Sequence, residues 1–123
     1  MKYLHERNIV HRDIKPENVV FDKDFNCKLC DFGWSCYLEE KDYRTTVCGT
    51  YEYMSPEIVN RSTHTNKVDI WCLGVMLYEM LHGDSPFQAK SVVEMRILLK
   101  KQQYKLKPSL KKETIDFIMK MMH

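Results

Sequence analysis

Asp13, Lys15 and Asn18 carry side chains that could act together in one catalytic step, and they lie within six residues of each other. An aspartate can accept the proton of a substrate hydroxyl group. A lysine two residues further on can neutralise a phosphoryl group during its transfer, and an asparagine five residues beyond the aspartate can hold a metal ion. Three side chains of these types could therefore assist the transfer of a phosphoryl group to a hydroxyl group.

A second carboxylate, Asp31, follows Asn18 by thirteen residues and opens the run Asp31-Phe32-Gly33. A carboxylate is a hard oxygen ligand of the kind that magnesium prefers. The pair Gly49-Thr50 and the run Ser55-Pro56-Glu57 then close a long stretch with little periodicity. The group of Asp13, Lys15 and Asn18, or the run Asp31-Phe32-Gly33, would each match many sequences by chance if taken alone. The two motifs in this order predict one metal-assisted site.

The elements that must hold these residues are mostly helical. Residues 68–81 are apolar on nearly every face of a helix, which predicts a buried helix, and Gly83 is suited to end it. Ser91 and Glu94 fit a capping box that opens a further helix. The apolar positions of the two last helices are Val93, Ile97 and Leu98 in the first, and Ile115, Ile118, Met119 and Met122 in the second.

The strand signals are short and lie near the start of the chain. Residues 1–7 are typical of the end of a helix, and residues 19–21 and 27–30 predict two strands on either side of a turn at 22–24. Residues 31–57 predict a long loop, and loops of that length are usually functional or disordered. The expected fold is therefore mainly α with a few short β-strands.

Composition and charge restrict the classes of partner. The chain has 123 residues, 44% of them hydrophobic, which is enough for one domain with a core. Its 19 basic and 17 acidic residues leave a net charge of +2, so we expect no nucleic-acid and no membrane partner. The five cysteines show no disulfide framework and indicate reduced thiols in the cytoplasm or nucleus.

Taken together, the motifs resemble the catalytic loop, the metal-binding loop and the end of the activation segment of protein kinases. A finer resemblance, to the Aurora kinase family, spans nearly the whole chain. It rests on Asp31-Phe32-Gly33-Trp34-Ser35, on Arg44-Thr45-Thr46-Val47-Cys48-Gly49-Thr50 and on His64-Thr65-Asn66-Lys67-Val68-Asp69-Ile70-Trp71-Cys72-Leu73-Gly74. Residues 51–56 and 104–112 depart from the pattern of that family.

The resemblance implies a serine/threonine protein kinase that uses ATP and Mg²⁺. Asp13 then corresponds to the catalytic base, and Lys15 to the lysine that contacts the transferred phosphoryl group in serine/threonine kinases. Asn18 and Asp31 correspond to the two metal ligands. The main chain at Glu17 would lie beside the nucleotide ribose, so the nucleotide-binding residues implied are Lys15, Glu17, Asn18 and Asp31.

The resemblance also assigns supporting residues. Thr50 corresponds to the threonine that hydrogen-bonds the base and the lysine, and Asp69 to the acid that braces the backbone of the catalytic loop. A lone aspartate in a buried helix would be costly, so pairing is expected. Glu17 and Glu79 correspond to glutamates that in basophilic kinases jointly hold a substrate arginine two residues before the phosphorylated hydroxyl group. The alternative for Glu79 is contact with solvent or with an internal arginine.

Two residues are candidates for regulation. Arg12 corresponds to the arginine that captures a phosphorylated activation loop by charge-assisted bonds. Thr46 lies where kinases of this kind carry the phosphate acceptor, with Thr45 as the rival acceptor. Arg44 would supply further positive charge next to the acceptor.

The resemblance covers the large, C-terminal lobe of a kinase, so residues 1–123 are interpreted as a partial catalytic domain with the small lobe absent. The sequence contains no Gly-x-Gly-x-x-Gly run, and the arginine that would pair with Glu57 would lie beyond His123. Three interpretations stay open: an active kinase represented by a fragment, a non-catalytic kinase-like binding module, and a degenerate gene product. The isolated chain is expected to be inactive.

The expected partners are protein substrates with serine or threonine near basic residues, and an activator protein. The Aurora resemblance implies work at the spindle in cell division, within the cytoplasm or nucleus. A lysine-rich stretch is open to two interpretations, a solvated face or a docking patch for an acidic partner. Its members are Lys100, Lys101, Lys105, Lys107, Lys111 and Lys112.

Overall fold

The computed structural model of the chain describes residues 1–38, 45–101 and 104–123. It is mainly helical with a few short strands, which confirms the predicted fold class. The helices are α1 (Lys2–His5), α2 (Pro56–Val59), α3 (Lys67–His82), α4 (Val92–Lys101) and α5 (Lys112–Met121), with 3-10 turns at Pro16–Asn18 and Tyr51–Tyr53. The strands are β1 (Ile9–Val10), β2 (Val19–Phe21), β3 (Cys27–Leu29) and β4 (Cys36–Tyr37). No helix within these ranges is long and apolar enough to span a membrane.

Helix α3 is the buried centre of the molecule, as its apolar composition predicts. Val68 and Val75 are fully buried, and Trp71 is almost so. Gly83 ends the helix in the left-handed conformation (φ 93°), which a residue without a Cβ adopts at no steric cost. Its N–H donates to the carbonyl of Glu79 over 2.7 Å. The predicted helix and its glycine cap are therefore confirmed.

Helix α5 packs against α3 at a glycine. A Cβ built on Gly74 would lie 2.7 Å from Met122 Cγ and 2.9 Å from Met121 Cβ, so the two helices can approach this closely because Gly74 has no side chain. Ile118 is fully buried in the same core. The sequence predicts Met119 on the same apolar stripe, but half of its surface is exposed. It borders a surface cavity instead of packing in the core.

The β2–β3 hairpin follows the catalytic-loop motif, and its two strands and turn lie where the sequence predicts them. Val19 lies opposite Leu29 in an antiparallel register. The turn forms because Asp22 Oδ1 accepts the backbone N–H groups of Asp24 and Asn26, each over 2.9 Å. The short side chain of an aspartate at this position therefore fixes the hairpin locally.

The stretch 31–57 contains regular elements, so the expectation of one continuous loop is wrong. Strand β4 pairs antiparallel with β1, where Val10 lies opposite Cys36. Helix α2 begins after Ser55, whose Oγ accepts the N–H of Ile58. Strands of two residues leave no alternation to detect, and helices of four residues depend on tertiary packing rather than on periodicity.

Helix α4 begins with the predicted serine–glutamate cap. The N–H of Glu94 donates to Ser91 Oγ over 3.2 Å, and Glu94 Oε2 accepts the backbone N–H just before the serine over 2.7 Å. The predicted apolar face is wrong in part. Met95 is fully buried, whereas Val93 and Ile97 are 64% and 49% exposed. The helix lies at the surface against α2, and its buried face is therefore narrow.

Candidate active site

The backbone of the loop that carries Asp13 is held by a fully buried carboxylate on α3. Asp69 accepts the N–H of His11 over 3.0 Å and the N–H of Arg12 over 2.8 Å, through its two different oxygens. His5 Nε2 lies 2.8 Å from the same carboxylate. The predicted brace is confirmed, and the buried charge has the polar partners that it needs.

His11 links this loop to the segment that carries Asp31. The ring is fully buried, its Nδ1 accepts the N–H of Asp13 over 3.3 Å, and its Nε2 lies 3.0 Å from the carbonyl of Cys30. The carbonyl requires a donor, so this network assigns the proton to Nε2. Phe32 packs edge-on against the ring, with 4.8 Å between the ring centroids. His11 is therefore a core residue that joins the two segments.

Asp13 is the centre of a cluster that joins two distant parts of the chain. Its Oδ1 accepts both the N–H and the hydroxyl of Thr50, each over 2.9 Å. Lys15 Nζ donates to Thr50 Oγ1 over 2.7 Å and lies 3.5 Å from Asp13 Oδ2. Asn18 Nδ2 donates to the Asp13 carbonyl over 2.7 Å and to Oδ2 over 3.2 Å. Lys15 and Asn18, which the spacing groups with Asp13, and Thr50, which the family resemblance adds, thus meet at the Asp13 carboxylate.

Gly49 allows Thr50 to reach this cluster. Its φ of 94° lies in the left-handed region, and a Cβ at Gly49 would stand 2.6 Å from the carbonyl oxygen of Arg12. Only a glycine accepts both the conformation and the approach of the two backbones. The close contact between the catalytic loop and the end of the activation segment therefore depends on this one residue.

Asn18 and Asp31 are suited to bind a metal ion because each has a side-chain oxygen that makes no described hydrogen bond. Both hydrogen bonds of the Asn18 side chain use Nδ2, which leaves Oδ1 without a partner in the described residues. Asp31 is exposed, and its Oδ1 accepts the N–H of Gly33 over 3.1 Å while Oδ2 makes no hydrogen bond there. The described residues hold no group of three or more His, Cys, Asp or Glu side chains with metal-site geometry. Mg²⁺ suits such a site, since it commonly takes one or two protein oxygens together with phosphate oxygens and water.

Arg12 is buried beneath the activation segment. Its Nε donates to the Trp34 carbonyl over 2.7 Å, whereas its Nη1 is buried without a hydrogen-bond partner in the part of the chain that the structure describes. Burial raises the pKa of the neighbouring Cys48 thiol, although the Arg12 charge acts in the opposite direction. Thr46 is exposed, no described hydrogen bond joins it to Arg12, and Arg44 lies outside the described residues.

Three glutamates form an acidic cluster around the hydroxyl group of Tyr53. Glu79 accepts a hydrogen bond from that hydroxyl group, so its partner is neither an internal arginine nor solvent alone. Burial raises the pKa of Glu52, and the charges of Glu79 and Glu17 raise it further. We call Glu17, Glu52 and Glu79 the acidic cluster. Glu52 was missed by sequence reasoning, because nothing in its local spacing points towards Glu79.

Residues 1–123 match the family described as protein kinase domain, so the chain belongs to that family. Aurora kinases are among its relatives. The Aurora kinase of Encephalitozoon cuniculi (strain GB-M1) is 41% identical over 125 residues, which cover 99% of this chain and 45% of the relative. The Aurora kinase of Schizosaccharomyces pombe is 50% identical over 91 residues, covering 74% of this chain and 25% of the relative. Aurora kinase B-A of Xenopus laevis is 40% identical over 122 residues, covering 99% and 34%.

These similarities confirm the resemblance to serine/threonine kinases of the Aurora type that the motifs indicated. The chain spans less than half of the length of each of these three relatives. The names of these relatives therefore apply to proteins considerably longer than residues 1–123.

Proposed function

We propose that residues 1–123 form the large-lobe part of a catalytic domain that transfers the γ-phosphoryl group of ATP to serine or threonine of protein substrates. The observation that carries the proposal is the meeting of Asp13, Lys15 and Thr50. The carboxylate and the ammonium group belong to a loop whose backbone Asp69 anchors, and the hydroxyl group reaches them from the end of the activation segment, so that the three groups lie within 3.5 Å of one another. Phosphoryl transfer depends mainly on such positioning and on electrostatic stabilisation.

In the proposed reaction Asp13 accepts the proton of the substrate hydroxyl group while that oxygen bonds to the γ-phosphorus. The bond from phosphorus to the bridging oxygen breaks, and ADP leaves with the electron pair. Lys15 offsets the negative charge of the group in transfer. Asn18 and Asp31 would hold Mg²⁺, which neutralises phosphate charge when it is bound. The main chain at Glu17 would lie beside the ribose of ATP.

The acidic cluster supports a preference for basic substrates. A planar guanidinium group can bridge two carboxylates with paired, charge-assisted bonds. Glu17 and Glu79 would hold an arginine two residues before the phosphorylated hydroxyl group, and Glu52 adds a third carboxylate nearby. Burial raises the pKa of Glu52, and repulsion from Glu79 and Glu17 raises it further; a cation placed there would relieve that repulsion.

The test is a transfer assay with the full-length protein that contains this chain, using Mg²⁺-ATP and a serine peptide with arginine at that position. We expect Asp13→Asn to lower kcat by about 100-fold or more, since the loss of a general base costs at least that much. The matched control is Asp24→Asn, because Asp24 is an exposed turn aspartate.

A full-length protein without transfer activity, or an Asp13→Asn variant as active as the parent, would favour the alternative of a non-catalytic kinase-like binding module. Residues 1–123 produced alone are expected to show no turnover, because they include no Gly-x-Gly-x-x-Gly run to cover the phosphates of ATP. Turnover by this piece in the usual kinase range, about 1–100 per second, would contradict that expectation.

The cellular setting follows the Aurora resemblance. We propose work in cell division, with the protein in the cytoplasm or nucleus and at the spindle, and with an activator protein as a partner. Microscopy of the fluorescently tagged protein through mitosis tests this, and an even distribution at every stage of division would count against it.

A further inference from the structure

Residues 90–112, here called the basic segment, concentrate the positive charge of the chain. They include eight of its 19 basic residues and one of its 17 acidic residues. The segment therefore carries a net charge of +7, whereas the whole chain carries +2 and the remainder is net acidic. A segregation of this size produces a strong local field that the small net charge conceals.

The lysines of the basic segment lie outside a row of inward-facing side chains. Leu99, Tyr104 and Leu106 line a cavity of about 400 Å³ that residues of α3 and α5 line on its other side. The exposed lysines that alternate with or follow them are Lys100, Lys101, Lys105, Lys107, Lys111 and Lys112. Lys107 Nζ donates to the Leu81 carbonyl over 2.9 Å. Within the described ranges no carboxylate forms an ion pair with any of these six lysines.

An exposed apolar pair on α4 leads into these lysines. Val93 and Ile97 are one helical turn apart and are 64% and 49% exposed. Lys100 and Lys101 follow at the next turn on the same face of the helix. Single exposed aliphatic side chains are ordinary, but a neighbouring pair beside a row of cations is a surface that an amphipathic partner can cover.

We propose that the basic segment is a docking surface for an acidic amphipathic segment of a partner protein. Aliphatic side chains of the partner would cover Val93 and Ile97, and its carboxylates would lie over the lysines. The inference is independent of phosphoryl transfer, and the surface is opposite in charge to the acidic cluster. A partner bound there would therefore not be replaced by a basic substrate through charge.

The chemistry of the segment favours carboxylates over phosphate groups. Its one arginine is Arg96, whose Nη2–H donates to the Val59 carbonyl over 2.7 Å. The guanidinium group, which binds phosphate in a bidentate way better than a lysine does, is therefore already engaged. The exposed cations are lysines, which act as point charges. The aliphatic pair adds apolar contact that a nucleic-acid backbone does not use. Nucleic acid and anionic membranes are therefore outcomes of the test rather than the proposal.

The experiment measures binding by fluorescence anisotropy with the full-length protein. The probe is a short labelled peptide with leucines one helical turn apart and glutamates at the other positions. A peptide with serines in place of the leucines, a single-stranded oligonucleotide and phosphatidylserine vesicles serve as comparison ligands. We expect the acidic leucine peptide to bind most tightly, and its affinity to fall as salt is raised.

The decisive variants reverse the same number of charges, either inside the basic segment or outside it. Lys100→Glu with Lys105→Glu should weaken binding about tenfold or more, whereas Lys2→Glu with Lys23→Glu, an equal change in net charge, should weaken it less than about twofold. Val93→Ser with Ile97→Ser should remove the advantage of the leucine peptide over the serine peptide. Circular dichroism checks that each variant keeps its helices. An equal loss in both charge variants, or tighter binding of the oligonucleotide or the vesicles, would overturn the proposal.

Discussion

At the scale of single residues, Glu79 shows how one bond can prepare a carboxylate for a ligand. The hydroxyl group of Tyr53 donates to one of its oxygens, and the second oxygen stays free of described hydrogen bonds. Burial, the hydrogen bond to Glu79 and the charge of Glu79 raise the pKa of Tyr53, so the phenol stays protonated and remains a donor. The hydrogen bond thereby orients the carboxylate of Glu79 within the acidic cluster.

Replacing Glu79 by glutamine should remove most of the preference for arginine two residues before the phosphorylated hydroxyl group. We expect the full-length parent to prefer arginine to alanine there by roughly 1.5–3 kcal/mol, the usual range for hydrogen bonds to charged groups. Peptide-library kinetics measure the preference, and turnover of a non-basic peptide should stay nearly unchanged. Glu113→Gln is the control, because Glu113 is exposed on α5. A parent profile that is flat or acidic at that position would contradict the assignment.

The same cluster predicts a dependence on pH. Glu52 has a raised pKa, so it takes up a proton at a higher pH than an ordinary glutamate does as the solution is acidified. The arginine preference should therefore begin to weaken, as the solution is acidified, at a pH above the range where ordinary glutamates titrate, and Glu52→Gln should flatten this part of the profile. An arginine preference that is constant from neutral pH down to the ordinary glutamate range would argue against a role for Glu52.

At the scale of elements, the end of the activation segment is held to the catalytic loop by Gly49 and Thr50, while Thr46 is exposed just before it. The buried Nη1 of Arg12, which lacks a described partner, is a donor that a phosphate group could use. A phosphate carries nearly two negative charges and three acceptor oxygens. Phosphorylation of Thr46 would then tie the segment to the loop that carries Asp13.

Thr46→Ala in the full-length protein should lower activity about tenfold or more, the equivalent of one lost charge-assisted hydrogen bond. Thr45→Ala is the control at the rival position and should leave activity close to that of the parent. Phosphopeptide mapping of the active protein identifies the acceptor directly. A Thr46→Ala variant as active as the parent would rule out Thr46 as the activating site.

Replacing Gly74 by alanine, at the contact between α3 and α5, has two opposing effects on the free energy of unfolding. Alanine in the interior of a helix is favoured over glycine by about 1 kcal/mol. The added Cβ would meet Met122 at 2.7 Å and Met121 at 2.9 Å, and overpacking of this kind costs about 1–3 kcal/mol. Gly74→Ala should therefore destabilise the fold in urea titrations, and Met122→Ala should recover part of the loss. A rise in the unfolding midpoint of Gly74→Ala would show that α5 does not pack as described.

At the scale of the whole molecule, the core gathers residues from most of the chain around α3. Its buried apolar side chains are Val10, Ile14, Tyr53, Met54, Ile58, Val59, Val68, Trp71, Cys72, Val75, Tyr78, Phe87, Ala89, Met95, Ile118 and Met122. The fully buried Asp69 ties this core to the catalytic loop. The core and the candidate active site are therefore expected to form or to be lost together.

Alkylation of the cysteines reports on this core. Cys72 is buried, its thiol donates to the Tyr53 carbonyl over 3.2 Å, and burial together with the charge of Asp69 raises its pKa. Thiolates are the reactive form, so iodoacetamide at neutral pH should modify the exposed Cys27 at least about 100-fold faster than Cys72. In urea the two rates should become similar, as mass spectrometry can measure. Equal rates in the native protein would show that the core around α3 is not formed.

The sequence by itself determined the catalytic-loop and metal-loop motifs, the buried helix α3, the hairpin and the glycine cap. Each of these depends on spacing along a short piece of chain, which turn chemistry and helical periodicity dictate. The motifs also predicted which side chains belong together, although not how they touch.

Only the tertiary structure decided how distant residues meet. Asp13 and Thr50 are 37 residues apart, and Asp69 lies 58 residues beyond His11, yet both pairs are hydrogen-bonded. The addition of Glu52 to the acidic cluster and the exposure of Val93 and Ile97 likewise had no local signal. Periodicity indicates that one face of a helix is apolar, but the packing of neighbouring elements decides how much of that face is covered, because burial is a property of the whole fold.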